Sequence, residues 1–176
     1  GTLNGGTNSD GTVYFEIVPK NALELALWLE SDRMGYLINT VTQSAFVNQQ
    51  NVVQNEKRQM VDNRPYGHNS YVIDKNLYPE GHPYNWQVIG EMEDLFNATV
   101  EDVKEFHSTY YRPNNATLVV AGDIDVEETK VLIHKYFGEI EGGNPVQDME
   151  PMRVSLDQTV KVYHEDNFAK TPRFTM

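Results

Sequence analysis

Four stretches of this 176-residue chain carry helix punctuation at their ends, and that punctuation constrains the fold more than any other feature. In 21-NALELALWLESDRMG-35, Asn21 stands at an N-cap position, Glu24 follows three residues on as in a capping box, and Gly35 is a natural stop. Leu25, Trp28 and Leu29 of this stretch are expected to face the core. A second helix is predicted from about Ser44 to Asn63, ending before Arg64-Pro65, because a residue that precedes proline is steered out of the helical region. Thr99 caps a third, 99-TVEDVKEFHSTYY-111, which sets Val103, Phe106 and Tyr110 on one face and is ended by Pro113. Asp125 caps a fourth, Glu128 completes its box, and the helix carries Val131, Leu132 and Phe137 to about Gly138.

The segments between are β-prone or irregular. The run 12-TVYFEIV-18 is rich in β-branched and aromatic residues and ends at Pro19. The run 116-ATLVVAGD-123 reads as a buried central strand, 159-TVKVYHE-165 alternates as a strand does, and 171-TPRFTM-176 opens another. From Arg64 to Leu95 the chain is broken by Pro65, Gly67, Pro79, Gly81, Pro83 and Gly90, which predicts short helices on a long surface excursion. Residues 139–157 form a Gly-, Pro- and acid-rich linker. The resulting order predicts an α+β fold, with helices packed on one face of a small mixed or antiparallel sheet, in one domain spanning 1–176.

Composition removes several functions. Twenty-six acids against 14 bases give a net charge of -12, the wrong sign for a nucleic-acid partner. The absence of cysteine excludes disulfides, thiolate zinc sites and a cysteine nucleophile. Apolar runs such as 117-TLVVA-121 are far too short for a transmembrane segment, and no signal peptide is visible. The chain opens on Gly-Thr-Leu-Asn without a methionine, so it is expected to be a processed or excised piece. The five histidines show no H-x-x-x-H or H-x-x-E-H spacing, and His107 and His134 are expected to be partly exposed on their helices. With no G-x-S-x-G, P-loop or G-x-G-x-x-G, the chain carries no complete catalytic set. The Asn97 and Asn115 sequons read as chance, since Asn115 leads into an apolar run.

One stretch raises a chemical question. On a helical wheel of 51-NVVQNEKRQMVDN-63 and the turns before it, Phe46, Val53 and Met60 share a sector, and Gln49 and Glu56 fall inside it. Lys57 lies towards the edge and Arg58 opposite. A carboxylate on a buried stripe needs a cation, a set of donors or a metal ion. The alternative is a rim position, where Glu56 reaches water or pairs with an arginine. Gln49 is likewise either a satisfied polar residue or a donor standing behind a metal ligand.

Five blocks in fixed order carry a resemblance. They are 4-NGGTNSDGTVY-14 followed by Pro19, the helix ending 29-LESDRM-34, 52-VVQNEKRQ-59, 79-PEGHPYNWQVIG-90 and 110-YYRPNNATLVVAGDID-125. In these the chain resembles the insulinase/pitrilysin family of zinc metallopeptidases, which includes the mitochondrial processing peptidases. The resemblance implies a processing-peptidase-like half of the kind also seen in LuxS, incomplete at both ends, whose H-x-x-E-H helix belongs ahead of Gly1. In such enzymes zinc polarises the scissile carbonyl and activates water, and the motif's glutamate takes the proton. Glu56 matches the third zinc ligand, contributed by a second helix. Gln49 stands where the family tends to carry an acid one heptad earlier. Asn4 and Gly5, the latter in place of the usual alanine, match the edge strand that pairs with substrate backbone, although Asn-Gly is also a plain turn signal.

The implied function is part of the zinc-bearing half of a metalloendopeptidase acting on peptides or unfolded segments. The piece itself has no catalytic residue, is expected to be inactive and is expected to bind no zinc tightly. The implied partners are a peptide substrate and a homologous second half or a second copy. An apolar patch around Val53, Glu56 and Met60 is expected to favour self-association. The other implied reading is a non-catalytic homologous half that binds peptide or supports an active half. Similarity to secreted bacterial members implies a place outside the cytoplasm.

Overall fold

A computed structural model describes all residues, 1–176. Its elements are β1 Thr2–Thr7, β2 Thr12–Ile17, α1 Leu23–Gly35, α2 Gln43–Lys57, α3 Asn69–Leu77, α4 Met92–Asn97, α5 Val100–Tyr110 and α6 Val126–Phe137. This is an α+β fold, helix-rich with one small antiparallel sheet of order β1-β2. The chain divides into two compact units.

The first unit comprises residues 1–7, 12–43 and 99–148. It holds the β1–β2 ladder, whose register pairs Thr2 with Ile17, Gly5 with Tyr14 and Thr7 with Thr12. The β-branched and aromatic run predicted a strand at β2, and the ladder bears it out. Thr99 and Asp125 cap their helices as the sequence reads, although the box expected from Glu128 at α6 is not closed. Thr99 accepts from the Asp102 amide and Asp102 returns the bond to Thr99, closing a capping box at the start of α5. These bonds hold the Asp102 carboxyl below its usual range, the Thr99 hydroxyl first and its amide second. At α6, Asp125 Oδ1 accepts from the Glu128 amide at 2.9 Å.

At α1 the predicted box is absent. The chain enters through a short 3₁₀ turn at Lys20–Ala22, and no side chain caps either start. Glu24 is used instead between helices, where it accepts from Lys135 Nζ at 2.8 Å and from the Tyr136 hydroxyl at 2.7 Å on α6. The expected core face of α1 is also corrected. Leu25, Trp28 and Leu29 are exposed, while Leu27 and Ser31, one turn apart on another face, are buried. Nothing in this chain covers the Leu25 stripe, nor the Val103, Phe106 and Tyr110 face of α5.

His107 is a further correction. It is 8% exposed, not partly open, and its Nε2 lies 3.1 Å from the Arg33 carbonyl, to which it donates as the Nε2–H tautomer. Its ring stacks on Tyr111 at 4.9 Å. His107→Leu keeps the bulk but leaves the Arg33 carbonyl without a donor. The expected loss is about 1–2 kcal/mol, read from a urea unfolding midpoint.

The second unit comprises residues 8–11, 44–98 and 149–176. The predicted second helix is present, but its last turn is a π turn over Arg58–Asp62, closed by the Asn63 amide on the Arg58 carbonyl at 2.8 Å. Short helices α3 and α4 punctuate the Pro- and Gly-rich excursion as expected. Residues 139–157 carry no regular structure. The end of the chain is tied to Tyr66, whose amide donates to Asp166 Oδ2 at 2.7 Å and whose hydroxyl donates to the Thr171 carbonyl at 2.8 Å.

The strands expected at 116–123, 159–165 and 171–176 are not formed. Val119 is 78% exposed and Tyr163 90%. β-propensity alone makes no strand, because the ladder partner supplies the hydrogen bonds. The single ladder in this chain is β1 with β2.

Candidate functional site

The residues singled out in the sequence fall in both units: Gln49 and Glu56 on α2 in the second, Asn4 and Gly5 on β1 in the first. Each pair is described within its own unit.

On α2 the wheel placed Phe46, Gln49, Val53, Glu56 and Met60 together, and they do share a side. That side is the open one, with Gln49, Glu56 and Met60 exposed and Phe46 and Val53 half-buried. The inward side carries polar residues at i, i+4 and i+7. Gln50 Nε2 donates to the Leu95 carbonyl at 2.7 Å and the Ala98 carbonyl at 3.3 Å, satisfying groups around the end of α4. Gln54 is buried. Lys57, expected near the edge, has a side chain only 6% exposed. Its Nζ donates to Gln87 Oε1 at 2.9 Å and the Gly90 carbonyl at 2.8 Å, and lies 3.8 Å from Glu91 Oε2. A long aliphatic stem can run through an apolar layer while its ammonium finds carbonyls at the far end. Amides and a lysine therefore face inward, and the stripe bearing Glu56 faces out.

This placement answers the question raised by Glu56. An exposed carboxylate carries no desolvation cost, and Glu56 forms no ion pair within the chain. It sits in the last α turn, where Lys57 beside it fixes the rotation of the helix and the π turn begins. As an oxygen donor it suits zinc. In number the donor set is short: no group of three or more His, Asp or Glu side chains is placed to hold a metal ion, and a catalytic zinc takes three protein ligands. Glu56 is a single exposed oxygen donor, fewer than a catalytic zinc needs. Gln49, two turns earlier, has no hydrogen bond to Glu56. Lys57 lines an open depression of about 270 Å³ together with Asp62, His68 and Glu91. His68 Nε2 lies 3.7 Å from Asp62 there.

In the first unit, Asn4 and Gly5 lie in the middle of β1, so the plain turn is excluded. The turn is at Asn8–Gly11, where Asn8 Oδ1 accepts from the amides of Asp10 and Gly11. The Gly5 N–H is taken by the Asn4 side chain at 2.8 Å. Thr7 and Thr12 bring their hydroxyls to 2.9 Å, the close approach of a pair that exchanges no ladder bonds. Gly5 and Tyr14 lie two positions along the same alternation, so the Gly5 N–H and C=O face the free edge. The Asn4 amide oxygen sits where a partner strand's carbonyl would sit, which blunts the open edge. Asn4→Ala is expected to speed exchange of the Gly5 amide several-fold at unchanged stability, measured by hydrogen exchange.

Tyr14, opposite Gly5, is a residue that sequence reasoning passed over. Its hydroxyl lies 2.6 Å from that of Tyr111, and the Arg33 guanidinium stacks on its ring at 3.5 Å. Burial first, and the bond to Tyr14 second, push the Tyr111 phenol up to about 12 from an ordinary 10.0. Its folded-state value is the higher one. The contribution to stability is therefore whole below pH 10.0 and lost as the pH rises towards 12. An ultraviolet absorbance titration is expected to find this tyrosine ionising near the end of the alkaline range, and earlier in Tyr14→Phe.

Lys57 was the other residue missed. Its signal was the Gln50–Gln54–Lys57 spacing, which traces a helix face as regular as the apolar one.

The comparisons with known proteins agree with one another. Residues 97–175 match the family described as the peptidase M16 inactive domain. Over 137 residues the chain is 36% identical to the zinc protease PqqE of Helicobacter pylori, a span covering 78% of this chain and 30% of that protein. It is 29% identical over 142 residues to a probable mitochondrial-processing peptidase subunit beta of Schizosaccharomyces pombe, covering 79% of this chain and 30% of that one. The crystal structure of a protease from Helicobacter pylori matches with a TM-score of 0.79 at 32% identity, over 88% of this chain and 37% of that one. The chain thus spans about a third of the length of these relatives.

Proposed function

Since the chain belongs to the insulinase/pitrilysin (M16) family of zinc metallopeptidases, we propose that it forms part of the zinc-bearing half of a metalloendopeptidase that hydrolyses peptides or unfolded polypeptide segments. The observation that carries this reading is Glu56, a carboxylate with no ion pair on the open side of α2, beside the buried Lys57 that fixes the helix. Glu56 supplies one metal ligand, and the remaining ligands come from polypeptide outside these residues. Bound there, zinc supplies Lewis-acid chemistry for amide hydrolysis. Gln49 serves as a polar donor on the same side of the helix, behind the metal site. Asn4 and Gly5 hold the substrate backbone at the free edge of β1 by strand addition, a peptide carbonyl taking the Gly5 N–H in place of the Asn4 oxygen.

A homologous half or a second copy completes the assembly, and it covers the Glu56 stripe. The protein works outside the cytoplasm, which cell fractionation tests. No helix is long and apolar enough to cross a membrane.

The second reading is a non-catalytic half, favoured by the description of the family matched at 97–175 as an inactive domain. The reading frame ahead of the Gly1 codon separates the two. An H-x-x-E-H motif there supports the zinc-bearing half, and its absence gives the place to the second reading.

A further inference from the structure

Gly5 leaves a gap in the hairpin edge, and Tyr14 fills it. The two are cross-strand partners. A Cβ on Gly5 would lie 3.1 Å from Tyr14 Cδ1, 3.5 Å from Cε1 and 3.3 Å from the Val13 carbonyl oxygen, so the ring leans across the glycine. An aromatic ring laid over a cross-strand glycine is a known way of shielding it. The ring is also clamped, with the Arg33 guanidinium 3.5 Å from its centroid and the Tyr111 hydroxyl 2.6 Å from its own. Tyr111 is held in turn by the stacked His107.

Residues opposite one another in neighbouring strands project to the same face of a sheet. A peptide laid along the free edge of β1 therefore sends the side chain opposite Gly5 to the face where Tyr14 lies. Gly5 puts no side chain between them. We propose that Tyr14, held across Gly5, determines specificity by selecting an aromatic or branched apolar side chain at the peptide position opposite Gly5. The proposal rests on the reading of β1 as the peptide-binding edge. The ring is partly exposed and offers carbon to an incoming side chain. Arg33 is already paired with Glu30, so an acidic side chain finds no free cation there. An alanine at that position leaves the ring uncovered.

The test uses strand-forming peptides of common backbone that carry Phe, Val, Ala or Glu at one position. Their binding to the complete polypeptide is measured by fluorescence anisotropy, for the natural sequence, Tyr14→Ala, Tyr14→Phe and Gly5→Ala. The natural sequence is expected to bind the Phe and Val peptides about five-fold more tightly than the Ala and Glu peptides. Tyr14→Ala is expected to level that ratio, and Tyr14→Phe, which keeps the ring, to retain it. Gly5→Ala, whose Cβ displaces the ring, is expected to reduce it. If Tyr14→Ala fails to fold by circular dichroism, a ratio lost in Gly5→Ala and kept in Tyr14→Phe upholds the proposal, and a ratio kept in Gly5→Ala overturns it. An unchanged preference in folded Tyr14→Ala overturns the proposal and leaves the edge-strand reading standing. Failure of every peptide to bind the natural sequence overturns both.

Discussion

Replacing Lys57 with methionine is expected to cost the second unit about 3 kcal/mol, although the two side chains are similar in length and bulk. The ammonium is buried, and it donates to Gln87 Oε1 at 2.9 Å and to the Gly90 carbonyl at 2.8 Å. Hydrogen bonds from a charged group contribute about 1.5–3 kcal/mol each, and acceptors left buried without a donor add their own cost. The approach to Glu91 at 3.8 Å contributes less, because that carboxylate is 38% exposed. A small domain holds about 5–15 kcal/mol in all, so the loss is a large share. Urea unfolding followed by circular dichroism reads it as a lowered midpoint at similar slope. A change under about 0.5 kcal/mol, the range of an ordinary surface substitution, contradicts the placement of Lys57 as the pin of α2.

The change next door is expected to do the reverse. Glu56→Gln leaves stability within about 0.5 kcal/mol, because the carboxylate is exposed and unpaired. In the assembled protein the same change is expected to weaken zinc binding by at least about 100-fold. Groups that merely support a ligand are worth about 10–100-fold, and a direct ligand is worth more. Adjacent positions on one helix therefore separate cleanly, with Lys57 read in unfolding and Glu56 in metal affinity.

The features legible in the sequence were the local ones. Thr99 and Asp125 cap their helices because a cap needs only its own first turn. The failure of Asn21 to cap shows the limit, since Glu24, its intended partner, is claimed by Lys135 and Tyr136 more than a hundred residues away in sequence. The Asn8–Gly11 turn has a local signal of its own in Asp10-Gly11. The strands expected at 116–123 and 159–165 had the right composition, but a strand exists only with a partner.

Glu56 shows a different limit. The wheel identified which residues share a side of α2, and periodicity assumes that the apolar side faces in. Here Gln50 and Lys57 are spent on loop carbonyls, so the polar side is the inward one. A helical wheel cannot see carbonyls dozens of residues away. The role of Gly5 was beyond the sequence for the same reason, since it depends on where the Tyr14 ring is clamped.

The most direct test of the central claim is zinc affinity by competition with a chelator, measured on the complete polypeptide and on residues 1–176 alone. The complete natural sequence is predicted to hold one zinc tightly, its Glu56→Gln variant to lose it, and the Gln49→Ala variant to keep it with a smaller loss. Residues 1–176, with one ligand to offer, are predicted to compete poorly for zinc. Nanomolar zinc binding by a complete, folded Glu56→Gln protein would contradict the account.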